Sequence, residues 1–137
     1  MAGNPRSFRF DRSLMDRLTH QARLRGTTVS ALVERYADEG SRREDHPLIV
    51  FRDAEAGRRP TIVGTRLDVW RIIETLRLSG NSTAAAAEYF GVPESHVQAA
   101  LRYYADFRSE VDEMREHELA FAAREEDAWR RAQALLG

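Results

Sequence analysis

The chain is 137 residues long, 42% apolar and 31% charged, and it sets 21 basic side chains against 22 acidic ones. This is the composition of one soluble globular domain and leaves no room for a multidomain enzyme. Cysteine is absent, which excludes disulfides, thiolate metal sites and cysteine nucleophiles.

The segment Met1 to Phe10 lacks the apolar run of a signal peptide, and no stretch approaches the length of a membrane span, so a cytoplasmic protein is expected. Every basic residue is arginine, a side chain suited to phosphate and guanine contacts. The net charge of −1 conceals a gradient: residues 1–46 carry nine arginines and seven acids, residues 47–107 seven of each, and residues 108–137 five arginines and eight acids. The basic end is therefore the nucleic-acid candidate.

The first element is predicted at Ser7-Phe8-Arg9-Phe10-Asp11, a short strand. Phe8 and Phe10 would share a buried face, with Ser7, Arg9 and Asp11 on the other. A helix follows, with Leu14, Met15, Leu18 and Ala22 at three- to four-residue spacing and Gly26 as its terminator. Thr27 or Thr28 caps a second helix that carries Val29, Leu32, Val33 and Tyr36, with Gly40 expected beyond its end. A module of about 40 residues buries too little surface to stand alone without staples. Dimerisation is the expected remedy.

Residues 6–40 resemble the ribbon-helix-helix family, through Phe8-Arg9-Phe10, the Leu14/Leu18/Ala22 helix, Gly26 and Thr28-Val29-Ser30-Ala31-Leu32-Val33. The resemblance implies a homodimer whose paired strands enter the DNA major groove while the second helix docks its N-terminus on a phosphate. Arg6, Ser7 and Arg9 would then meet DNA from the strand, and Thr28 and Ser30 from the helix start; arginine suits bidentate contact to guanine, and free helix N–H groups suit phosphate. The alternative is a dimerisation module whose Arg9 is only solvated.

Residues 41–46 are polar and precede Pro47, which reads as a linker. Leu48 to Phe51 predicts a strand, Ala54 to Arg59 a turn around Gly57, and Thr61 to Val63 a return strand, with Arg58 and Arg59 near the hairpin tip. Val69, Ile72, Ile73 and Leu76 mark a helix ended by Ser79-Gly80-Asn81. Ser82 or Thr83 opens another helix through Phe90. Gly91 turns the chain, and Pro93 takes the first position of a helix carrying Val97, Ala100 and Leu101.

This last segment resembles a helix-turn-helix, with Ala87 at the crossing, Gly91 in the turn, Val97 beyond it and Phe90 and Val92 in the core. Its exposed positions would be Glu94, Ser95, Gln98, Ala99 and Arg102. Of these, Ser95, Gln98 and Arg102 form a second DNA or partner face, although a poorly charged one for DNA.

The string Pro60-Thr61-Ile62-Val63-Gly64-Thr65-Arg66, the apolar helix, Gly80 and Val97-x-x-Ala100-Leu101-x-Tyr103-Tyr104 are similar to the domain of unknown function numbered 433 over about residues 47–116. That family is helix-turn-helix-like and occurs in antitoxins, which implies a PIN-like ribonuclease toxin as partner. Gly64 suits the turn, and Thr65 or Asp68 is placed to satisfy the next helix start. Arg66 is either a ligand for phosphate or carboxylate or a brace for the turn. Arg58-Arg59 depart from the Gly-Lys that usually precedes the proline.

Residues 108–136 predict one long helix on which Val111, Met114, Phe121, Ala128, Ala132 and Leu135 recur, interrupted by Glu118 and Glu125. Phe121 and Trp129 on an acidic, alanine-rich surround suit a partner-binding helix; the alternative is a terminal helix packed on its own domain. His20, His46, His96 and His117 are scattered, with only Glu113 and His117 at ligand spacing, and neither a phosphate loop nor a nucleophile elbow occurs. No enzyme activity, metal or cofactor is expected.

The expected fold is mainly α with short β. A ribbon-helix-helix dimerisation module spans 6–40 and a linker 41–46; a small hairpin plus helix-turn-helix (winged-helix-like) domain spans 47–107, and a long C-terminal helix forms an acidic tail at 108–137. The resemblances imply the antitoxin of a type II toxin–antitoxin pair that represses its own operon by binding operator DNA. Met114, Arg115, Phe121, Arg124 and Trp129 would contact the toxin, the arginines pairing with its acidic site. A stand-alone transcriptional regulator is the alternative, and a non-DNA scaffold the third reading.

Overall fold

Asp11 accepts from the backbone N–H of Leu14 at 2.7 Å and caps α1 (Arg12–Arg25) in the computed structural model, which describes residues 3–55 and 57–137. Gly26 closes that helix in the left-handed region at φ 64°, where a residue without Cβ is unstrained. Thr28 Oγ1 then accepts from Ala31 N at 3.1 Å and caps α2 (Val29–Asp45). Leu18, Ala22 and Leu32 are buried between the two helices, flanked by Leu14, Val29 and Val33.

Three expectations change here. Residues 3–11 have no regular secondary structure, and Phe8 and Phe10 are 72% and 36% exposed. A strand exists only when a second one fills its ladder, and the described residues of this unit supply none. Gly40 lies inside α2 rather than beyond it, and the expected linker 41–46 is helical through Asp45. A helical glycine costs only about 1 kcal/mol, whereas Pro47 restricts His46 and stops the helix there.

The chain divides into two compact units between Glu44 and Asp45. In the second, β1 (Ile49–Ala54) and β2 (Gly57–Ile62) form an antiparallel hairpin in register from Ile49 opposite Ile62 to Ala54 opposite Gly57. The strands are longer and the turn tighter than expected. Arg58 and Arg59 therefore stand within β2, opposite Asp53 and Arg52, and not at the tip. Pro60 is tolerated because both strands of a two-stranded sheet are edges.

After β2 the chain turns at Gly64, φ 74°, and α3 (Val69–Leu78) buries Val69, Ile72, Ile73 and Leu76 as their spacing predicts. Ser82 accepts from Ala85 N at 3.1 Å to start α4 (Thr83–Phe90), and Gly91 ends it at φ 67°. Pro93 stands one position before α5 (Glu94–Asp106). Phe107 separates α5 from α6 (Arg108–Ala134).

The core of this unit joins Ile49 and Ile62 of the hairpin to α3, to Ala86 and Ala87 of α4, to Val97, Ala100 and Tyr103 of α5, and to Val111 of α6. Because α5 packs against α3, α4, α6 and both strands, its buried face is wider than one stripe. Ala99, expected outside, is 5% exposed, while Leu101, expected inside, is 41% exposed. No described helix is long and apolar enough to cross a membrane.

Candidate nucleic-acid and partner interfaces

In the N-terminal unit the irregular segment before α1 borders an apolar groove of about 390 Å³. It is lined by Phe8, Phe10, Leu14, Leu18, Val33, Tyr36 and Ala37. Tyr36 is held at its rim by a 3.1 Å hydrogen bond from its hydroxyl to Gln21. Arg6, Ser7 and Arg9, on the same segment, are exposed, as are Thr28 and Ser30 at the start of α2. Thr28 spends its hydroxyl on Ala31 N, and the remaining first-turn N–H groups are the ones a helix leaves for an external acceptor. The sequence-predicted DNA residues thus fall at two places in one unit, the segment before α1 and the start of α2.

The loop carrying the Pro60-to-Arg66 string is braced differently from expectation. Asp68 stands at the start of α3 but makes no side-chain cap; its carboxylate accepts from Arg52 at 2.9 and 2.8 Å, from Thr61 at 3.2 Å and from Trp70 Nε1 at 3.2 Å. A buried carboxylate satisfied by four donors has no lone pair to give the helix. Thr65 donates to Ile62 O at 2.8 Å and accepts from Leu67 N at 3.1 Å, bracing the turn itself. Arg66 is exposed, so the bracing falls to Thr65 and Arg52 and not to Arg66.

On α5, Ser95, Gln98 and Arg102 are exposed as predicted and lie along one side of the helix, with the buried Ala99 at its edge. Arg102 also borders a small pocket of about 100 Å³ with His46, Pro47 and Leu48. His46, buried against Tyr103 and Phe107, pairs through Nε2 with Asp106 at 2.7 Å and fixes the entry to β1.

The first half of α6 is tied to this unit by charge. Arg115 grips Glu74 of α3 through both carboxylate oxygens, and that hydrogen bond, opposed by desolvation and helped by the positive charge of Arg115 and Arg77, holds Glu74 below the ordinary carboxylate value of 4.5. Tyr104 accepts from Arg77 at 2.6 Å and donates to Asp112 at 2.8 Å. Arg59, 2% exposed, donates to Glu118 at 2.8 Å.

These contacts revise the expected toxin-binding set. Arg115 is spent within the chain, and Met114 is half-buried in a cavity of about 550 Å³ that it lines with Arg59, Glu110, Glu113 and His117. Phe121, Arg124 and Trp129 remain exposed. The pair that sequence reasoning missed is Arg59 and Glu118. Its signal was present: a carboxylate in line with Val111 and Met114 on a packed helix requires a buried cation opposite.

Among the described residues, no group of three or more histidine, aspartate or glutamate side chains is arranged to hold a metal ion. No curated protein and no solved structure matches the chain. Residues 49–104, from β1 through Tyr104 of α5, match the family model described as Protein of unknown function (DUF433).

Proposed function

We propose that the chain is an antitoxin that binds operator DNA as a homodimer through residues 6–40 and neutralises a toxin, a PIN-like ribonuclease on the resemblance stated above, through α6. The carrying observation is the open apolar groove at Phe8, Phe10, Leu14, Leu18, Val33, Tyr36 and Ala37 beside the exposed Arg6 and Arg9. A monomer that leaves Phe8 72% exposed pays for it in hydration; a second copy seals the groove and brings two extended segments together as a ribbon. Arg9 and Ser7 then project on the opposite face from the phenylalanines, as alternation along a strand dictates.

A reading as stand-alone regulator leaves the exposed half of α6 without a role, and the Ser95, Gln98, Arg102 face offers a single cation to phosphate. That face is assigned here to support of the fold or to a protein partner, with the winged-helix-like reading of residues 47–107 retained as architecture only.

The test separates the two activities. The cut falls after Glu118, because Val111, Arg115 and Glu118 belong to the packing of the second unit. The shortened chain retains binding to the DNA upstream of its own gene and loses co-purification with the product of the adjoining gene. Loss of DNA binding alone, with the partner retained, overturns the assignment of the two ends.

A further inference from the structure

Arg59 of β2 gives one N–H of its guanidinium to Glu118 of α6, from Nη2 at 2.8 Å. The group carries five such donors in all. Its Nε is buried without an acceptor, in a side chain only 2% exposed. A charged donor held this far from water calls for an acceptor oxygen. The same residue lines the cavity of about 550 Å³ between β2 and α6, a volume within the range of small-molecule sites.

The other wall comes from α6. Glu110, Glu113, Met114 and His117 recur at spacings of three and four, which sets them along one side of the helix, next to the side on which Val111 and Glu118 pack. Glu113 is exposed and makes no ion pair with any described residue. The cavity thus sets a cation with donors to spare against a free carboxylate. A bare anion such as phosphate would satisfy Arg59 and be repelled by Glu110 and Glu113. A bare cation would meet Glu113 and be repelled by Arg59. A molecule that carries an ammonium next to a carboxylate answers both walls, and Met114 adds an apolar, adaptable surface for a side chain.

We propose that the cavity between β2 and α6 binds an apolar α-amino acid, its carboxylate accepting from Arg59, its ammonium donating to Glu113 and its side chain lying against Met114. Every residue of this site belongs to the second unit, so the proposal stands apart from the antitoxin reading. The two charged contacts fix the orientation of the ligand, and the apolar contact selects among amino acids.

The full-length chain is titrated by calorimetry with L-leucine, L-methionine and L-phenylalanine. Saturable binding with a dissociation constant below about 1 mM is expected for at least one of them. Analogues of the tightest binder that lack either the ammonium or the carboxylate should bind about tenfold more weakly or worse. Glu113→Gln keeps the shape of an exposed side chain and is expected to weaken binding about tenfold, while Arg59→Met abolishes it. Glu126→Gln, on the far half of α6, leaves it unchanged. Thermal melts of each variant check that the second unit stays folded. No binding of any of the three amino acids overturns the proposal, as does a Glu113→Gln chain that binds like the wild type. An analogue with one charge that binds as tightly as its parent, or a Glu126→Gln chain weakened as much as Glu113→Gln, overturns it too.

Discussion

Arg59 and Glu118 meet at 2.8 Å across 59 positions of sequence, the guanidinium buried in β2 and the carboxylate on α6 one-third exposed. The pair marks the last point at which α6 is held to its own unit. Arg59 Nε is buried without a hydrogen-bond partner, so Glu118 is the acceptor that the structure gives this cation. Glu118→Ala is expected to destabilise the second unit by about 1–3 kcal/mol, the cost of stranding a buried polar group. Arg59→Met is expected to cost less, because it removes the buried charge together with its need. Urea denaturation of the three chains measures the difference.

Glu74 couples stability to acid. Its carboxyl titrates below the ordinary value of 4.5 in the folded chain because of the hydrogen bond from Arg115. A group with a lowered folded value contributes stability above its unfolded value and loses it as the pH falls through the folded one. Thermal melts at pH 7 and at pH 3.5 should therefore show a larger loss for the wild type than for Glu74→Gln, whose side chain does not titrate. Equal losses would remove this pair from the acid response.

The N-terminal unit should depend on a second copy. Phe10→Ser removes apolar surface from the groove and is expected to raise the dimer dissociation constant roughly ten- to a hundredfold. Sedimentation equilibrium of the wild type and variant gives both constants. A wild type that stays monomeric at high concentration would leave the groove unexplained by dimerisation.

Gly91 holds φ 67° at the turn between α4 and α5, with open space around the position of a Cβ. Strain rather than collision sets the effect of a side chain there. Gly91→Ala is expected to cost about 1–2 kcal/mol, and Gly91→Asn less, since asparagine enters the left-handed region more readily. Chemical denaturation ranks the two.

The parts of the fold visible in the sequence are those set by short-range rules. Val69, Ile72, Ile73 and Leu76 mark α3, and Gly26, Ser82 and Gly91 mark ends that the chain uses as predicted. The Pro60-to-Arg66 string pointed to the family model that residues 49–104 match. What was not visible depends on distant or wide contacts. The buried arc of α5 runs from Val97 through Ala100 and Tyr103 to Ala99, so it takes in Ala99 and leaves Leu101 just beyond its other edge, which a stripe drawn through Val97, Ala100 and Leu101 misses. Arg59 reads as a hairpin-tip arginine until Glu118 is seen opposite it, and Arg115 as a free cation until Glu74 is. The segment 7–11 alternates as a strand does, but one strand has no ladder in a single chain.

The most direct test of DNA recognition by a ribbon is the binding of wild type and Arg9→Ala to the DNA upstream of the gene, measured at two salt concentrations. A base-edge arginine is worth about 1–3 kcal/mol of discrimination, so the substitution should weaken specific binding roughly five- to a hundredfold while leaving binding to unrelated DNA much less changed. Specific affinity that is the same in both proteins would contradict the placing of DNA on residues 6–11.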